Sequence, residues 1–187
     1  MAQDDSLDQK ELDELEKKYD TSLNTRVTGP RVTMVLYWAS IVFAAYHLWT
    51  AGFGTPVDYV HMGVHLAGLF LFIFAGFPFL KYPAALDYHP IKVFKPGNVP
   101  LYDWIFMVLA MAAALFLWLS WRGLSLPGID VPEQMLRQGN PTGIDVFFGT
   151  ILVLASLEIA RRTIGFILPL IILVFIIFAL FLSLIHI

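Results

Sequence analysis

Five long apolar segments constrain this chain more than any other feature: roughly Val32–Trp49, Val60–Leu80, Leu101–Trp121, Ile144–Ala160 and Thr163–Ser183. Each is near the ~20 residues that a helix needs to cross ~30 Å of hydrocarbon. Hydrophobic residues make up 58% of the 187 and charged residues 14%, a balance that no water-facing surface of this size accommodates. The segments lack the short alternation of outer-membrane barrel strands. The expected class is therefore an all-α integral membrane protein, a bundle of about five transmembrane helices. The fourth segment is the shortest, at 17 residues, and its near-uniform apolarity favours crossing over lying in the membrane plane as a brace.

Basic residues set the expected orientation, because Lys and Arg are retained on the cytoplasmic side during insertion. With the amino terminus inside, ten of the 12 fall on the cytoplasmic side: Lys10, Lys17, Lys18, Arg26, Arg31, Lys81, Lys92, Lys95, Arg161 and Arg162. Arg122 and Arg137 fall outside. Tyr37, Trp38, Tyr102 and Trp104 then lie near inner span ends and Trp49, Tyr59, Trp118 and Trp121 near outer ones, as interfacial aromatics should. The first 20 residues carry eight acids against three lysines, the reverse of a signal peptide, so they read as a solvated acidic tail. Without cysteine there are no disulfides or thiolate metal sites. A net charge of −3 offers no basic face, so nucleic acid is not an expected partner.

From Ile144 to Ile187 a single helix would run about 66 Å, twice the hydrocarbon thickness, so the chain must break. The adjacent Arg161 and Arg162 mark the expected break. There they should be solvated, face anionic lipid headgroups and pair locally with Glu158. Gly63 and Ala67 on the second span, and Ala110 and Ala114 on the third, form small faces for close helix approach. Pro169, one turn into the fifth span, should kink it or free a carbonyl.

One constellation has cofactor potential. His47 and His65 fall at similar depth in the outer third of the bilayer, with His61 nearer the interface. Two facing imidazoles suit a haem iron or a proton relay; the plainer expectation is a polar pair with a neighbouring Tyr or a backbone carbonyl. Asp58, Asp103, Asp145 and Glu158 fall at span ends, leaving no midplane carboxylate for an ion path. No phosphate loop, HExxH run or Ser-His-Asp set is present, so no enzyme and no metal are expected.

The string "LEIARRTIGFILPLIILVFIIFALF", with the preceding "GIDVFFGTILVLA", resembles the amino-terminal, small-subunit-like part of the fused permeases of tripartite ATP-independent periplasmic (TRAP) transporters, those that work with a TAXI-type substrate-binding protein. In that family a glutamate, two arginines, a glycine and a proline recur in this order, here Glu158, Arg161, Arg162, Gly165 and Pro169. The signature covers about 40 residues sharply; the first three spans match only in number, length and a Pro- and Gly-containing outer loop. The resemblance implies a multi-pass protein of a bacterial or archaeal inner membrane. It implies a symporter part in which a periplasmic protein delivers a small organic acid and the coupling ion, sodium, binds the large permease domain. This chain would be a scaffold without substrate, metal or cofactor of its own, partnered by that domain, the binding protein and membrane lipid. A haem-bearing anchor of an electron-transfer complex, using His47 and His65, is the alternative. The implied organisation is a cytoplasmic tail over 1–28, a four-span domain over 29–160, and a fifth helix over 161–181 leading towards the large domain. Residues 182–187, "LSLIHI", depart from the family and equal one reading frame of a transposase mosaic end used in DNA library preparation. They are expected to be a sequencing artefact in a fragment of a longer polypeptide, which leaves His186 without weight.

Overall fold

The computed structural model describes residues 25–79 and 96–185. Five α-helices lie among them: α1 Pro30–Phe53, α2 Asp58–Gly76, α3 Leu101–Leu119, α4 Gly143–Thr163 and α5 Ile167–Ile185. α1 to α4 are long and apolar enough to cross a membrane, whereas the apolar stretch of α5, Ile167–Phe181, is shorter. The chain is thus an all-α, multi-pass membrane bundle. Most of the acidic tail, Lys81, Lys92, Lys95 and His186 lie outside the described residues.

From α1 to α4 successive helices run antiparallel, as contacts at both ends show. At one end, called here the Asp103 end, gather Arg26, the end of α2, the start of α3 and the end of α4. At the other, the hairpin end, Tyr46 meets His61, the Tyr59 ring lies 5.2 Å from that of Trp121, and Arg137 joins Ser120 to Asp145. The core is the α2–α3–α4 trio, with Phe70, Phe74, Met107, Ala110, Ala114, Ala155 and Ile159 buried together. Lipid is as apolar as leucine, so such helices associate through close packing and polar ties, not through the hydrophobic effect. The small faces on α2 and α3 serve this. A Cβ at Gly63 would stand 2.7 Å from the Ala114 carbonyl oxygen, so only glycine permits that approach.

Three boundaries differ from expectation. α4 runs through both arginines to Thr163, and the chain turns at Ile164–Phe166, where Gly165 has φ 109°. The arginines therefore belong to the last turn of α4, where positive charge complements the negative helix end, while the turn itself needs the glycine. Pro169 is the third residue of an unbroken α5 and is buried. A first-turn N–H has no helical acceptor, so proline there costs no hydrogen bond and forces no kink. Residues 25–28, assigned to the tail by sequence, pack on the bundle together with Gly29: the backbone N–H of Arg26 donates to Gly76 O at 2.6 Å and that of Gly29 to Gly97 O at 2.9 Å.

The segment between α3 and α4 contains an antiparallel hairpin, β1 Leu124–Leu126 with β2 Ile129–Val131, Ser125 opposite Asp130. Pro127 and Gly128, the latter at φ 82°, form its turn. A capping box starts α4: the Asp145 carboxylate accepts from Thr142 N at 2.8 Å, and Asp145 N donates to Thr142 Oγ1 at 3.4 Å.

Candidate functional site

Two polar clusters lie inside this apolar bundle. The larger centres on Asp103, in the first turn of α3 and 0% exposed. Its Oδ1 accepts from Arg162 Nη2 at 2.8 Å and its Oδ2 from Arg26 Nη2 at 2.5 Å, so one carboxylate bridges the segment before α1 and the end of α4. Arg162 also donates from Nε to Glu158 Oε1 at 2.8 Å and from Nη1 to Phe77 O at 3.0 Å, with its guanidinium 4.7 Å from the Phe74 ring centre. Arg161 makes a two-pronged pair with Glu158, at 2.8 and 2.9 Å, and donates to Phe79 O at 2.7 Å.

The expectation that both arginines are solvated is therefore corrected. Arg162 has a side chain 0% exposed and Arg161 one 25% exposed, and both reach across to the chain just beyond α2. The physical reason lies at the end of α2. The last carbonyls of a helix have no intrahelical donor, and with Phe74 and Ala75 each 1% exposed, bulk water does not replace it. Phe74 and Ala75 in that last turn present such oxygens and Phe77 and Phe79 just beyond it present two more, and Arg26, Arg161 and Arg162 supply the N–H groups. Three guanidinium groups meet two carboxylates; the surplus positive charge faces the carbonyl ends of α2 and α4, which carry partial negative charge. Charge and hydrogen bonds are thus both matched, the condition under which ions persist in low dielectric.

Chemically this cluster is closed. Both Asp103 oxygens and both Glu158 oxygens already accept from guanidinium groups, which leaves no anionic surplus to attract a cation. Among the described residues no group of three or more His, Asp or Glu side chains is placed to hold a metal ion. Glu158, Arg161 and Arg162 come together here; Gly165 and Pro169 stand beyond them, in the turn and in the first turn of α5. Composition singled out neither Arg26 nor Asp103 as partners. The usable signal was the aspartate three residues after Pro100, facing a bilayer end already rich in arginine.

The second cluster joins α1 to α2. His47 Nδ1 lies 2.8 Å from Phe43 O, so it is the donor there; in a neutral ring Nε2 then accepts, and His65 Nδ1, 2.8 Å away, donates. Tyr46 Oη lies 3.1 Å from His61 Nδ1, and Phe43 stacks on His65 at 5.8 Å. The sequence-selected pair is thus in direct contact. Two imidazole nitrogens on opposite faces of one iron stand about 4 Å apart at ~2 Å per bond, so this hydrogen-bonded pair does not fit a haem iron between its facing nitrogens. The arrangement can pass a proton between the two rings and fixes α1 against α2.

Two cavities flank α4. One, of about 300 Å³, is bounded by Phe74, Phe106, Ile151, Leu154 and Glu158 near the Asp103 end. The other, of about 250 Å³, lies between α3 and α4 at the hairpin end. Comparisons with protein-family models, with curated proteins and with solved structures gave no match to this chain.

Proposed function

We propose that the chain is the scaffold portion of a TRAP-type secondary transporter, one that takes up a small organic acid delivered by a periplasmic TAXI-type binding protein. Sodium would drive the transport through a large permease domain beside it. The observation that carries this is the closed ion cluster. Intramembrane charges ordinarily mark ion or substrate paths; here every one in the cluster is spent on joining the segment before α1 to α2, α3 and α4. A bundle built this way braces; it does not conduct. The order Glu158, Arg161, Arg162, Gly165, Pro169 supports the family reading, and α5 supports a neighbouring membrane domain. Phe166, Ile167, Leu170, Val174, Phe175 and Phe178 on and before that helix are all exposed, an apolar surface suited to another helix or to lipid. By the charge rule the Asp103 end would face the cytoplasm; the transporter reading would then put the hairpin in the periplasm and the bundle in the inner membrane of a bacterium or archaeon.

The test is uptake in proteoliposomes by the complete transporter, with its binding protein added and a sodium gradient imposed or collapsed. Uptake requiring both, with no solute retained by these 187 residues alone, is the expected result. Uptake without a binding protein, tight solute binding by the bundle itself, or a Soret band in the purified protein that is lost in His65→Ala would overturn it.

A further inference from the structure

The cavity at the hairpin end is amphipathic in one direction. Its inner wall is Ala113, Phe116, Phe148 and Leu152, while Ser120, Gln134, Arg137 and Asp145 stand at its rim. Along α3 the lining runs from Ser120 back to Ala113, and along α4 from Asp145 to Leu152, each about 10 Å at ~1.5 Å per residue. On the α4 wall a Cβ at Gly149 would meet nothing within 4 Å, so the absent side chain leaves the slot open. At about 250 Å³ the space falls just under the ~300 Å³ at which pockets hold whole small molecules. It suits one part of a longer molecule.

The rim holds unused hydrogen-bonding capacity of both signs. Arg137 is 8% exposed; it donates from Nε to Pro132 O at 2.7 Å, from Nη2 to Ser120 O at 3.4 Å and from Nη1 to Asp145. A guanidinium carries five N–H groups, so two are left for another acceptor. They lie beside the positive end of α4, which favours an anion. Gln134 Oε1 is enclosed and, among the described residues, is the buried side-chain polar atom without a partner; it calls for a donor. The Asp145 carboxylate beside Arg137 keeps the rim near neutral, which suits a zwitterion over an anion.

We propose that this cavity binds a phospholipid with a primary ammonium headgroup: one acyl segment between α3 and α4, the phosphate at Arg137 and the ammonium at Gln134. Choline fails the last contact because it has no N–H, and glycerol headgroups lack the cation. The site is independent of the transporter reading and would exist in any complex that contains this bundle.

Native mass spectrometry of the full chain, released from nanodiscs with equal parts of phosphatidylethanolamine, phosphatidylcholine and phosphatidylglycerol of identical acyl chains, tests this. A 1:1 ethanolamine adduct at least tenfold above the other two is expected. Gly149→Leu, which fills open space, should lower it tenfold or more with the unfolding temperature maintained, and Gln134→Leu should keep lipid bound but erase the headgroup preference. Equal retention of the three lipids, a preference for phosphatidylglycerol, or adducts unchanged in Gly149→Leu would overturn the site. Displacement by soluble glycerophosphoethanolamine would overturn its lipid character, because the headgroup alone would then suffice.

Discussion

Among the described residues two arginines are buried, one at each end of the bundle, and the contrast between them shows how this membrane fold is held. Arg162 closes a cluster whose members come from positions 26, 103, 158 and 162, and both it and Asp103 have side chains 0% exposed. Arg137 pairs with Asp145, eight residues on, whose side chain is 19% exposed. The first ties together segments that no local rule would join. The second fastens a loop to the helix that follows it. Long-range ion pairs in low dielectric specify one arrangement of helices, because any other leaves a charge bare; local pairs at an interface adjust an arrangement already chosen.

That contrast can be broken by substitution, read as unfolding free energy in detergent or bilayer. The largest effect should come from Asp103→Leu, which leaves Arg26 and Arg162 without their shared counter-ion and should cost about 3–5 kcal/mol. Asp103→Leu combined with Arg162→Met should recover part of that loss, since only Arg26 is then left without its counter-ion and Arg161 still pairs with Glu158. A double variant as weak as the single one would show that the cluster specifies nothing. Arg137→Met should cost less, about 1.5–3 kcal/mol, by removing a charged donor from Asp145 and two carbonyls. A cost exceeding that of Asp103→Leu would reverse the ranking of the two ends.

Two smaller effects sharpen the picture. Gly165→Val should cost about 1–3 kcal/mol, because a β-branched residue must adopt the positive φ of the turn between α4 and α5. If the variant proves neutral, the turn does not depend on glycine. Arg161→Ala should cost under about 1 kcal/mol, since Arg161 and Glu158 are each about a quarter exposed and their attraction is screened. A loss near that of the buried cluster would mean that Phe79 O depends on this arginine alone.

Much of the fold was legible because the bilayer imposes simple demands. Apolar length located all five helices to within a few residues, and small residues located the α2–α3 contact at Gly63 and Ala114. The hairpin was missed, although Leu124 to Val131 alternates around Pro127-Gly128, because a scan for spans passes over three-residue strands. For the candidate sites the outcome divides by distance. Depth alone put His47 and His65 at the same level, and there they lie in contact, since two helices joined by a short turn leave few choices. Glu158 with Arg161 and Arg162 was local and readable. Arg26 and Asp103 were not, because their partnership needs the end of α2 as a third party.

By itself the sequence determined that this chain enters a membrane, how many helices it forms and, to within a few residues, where each lies, for those properties follow from runs of residues measured against a slab of fixed thickness. Only the tertiary structure decided that Arg162 turns inward to Asp103 and not outward to lipid. That choice rests on unsatisfied carbonyls at the end of α2, and their need for donors becomes visible only once the helices stand side by side.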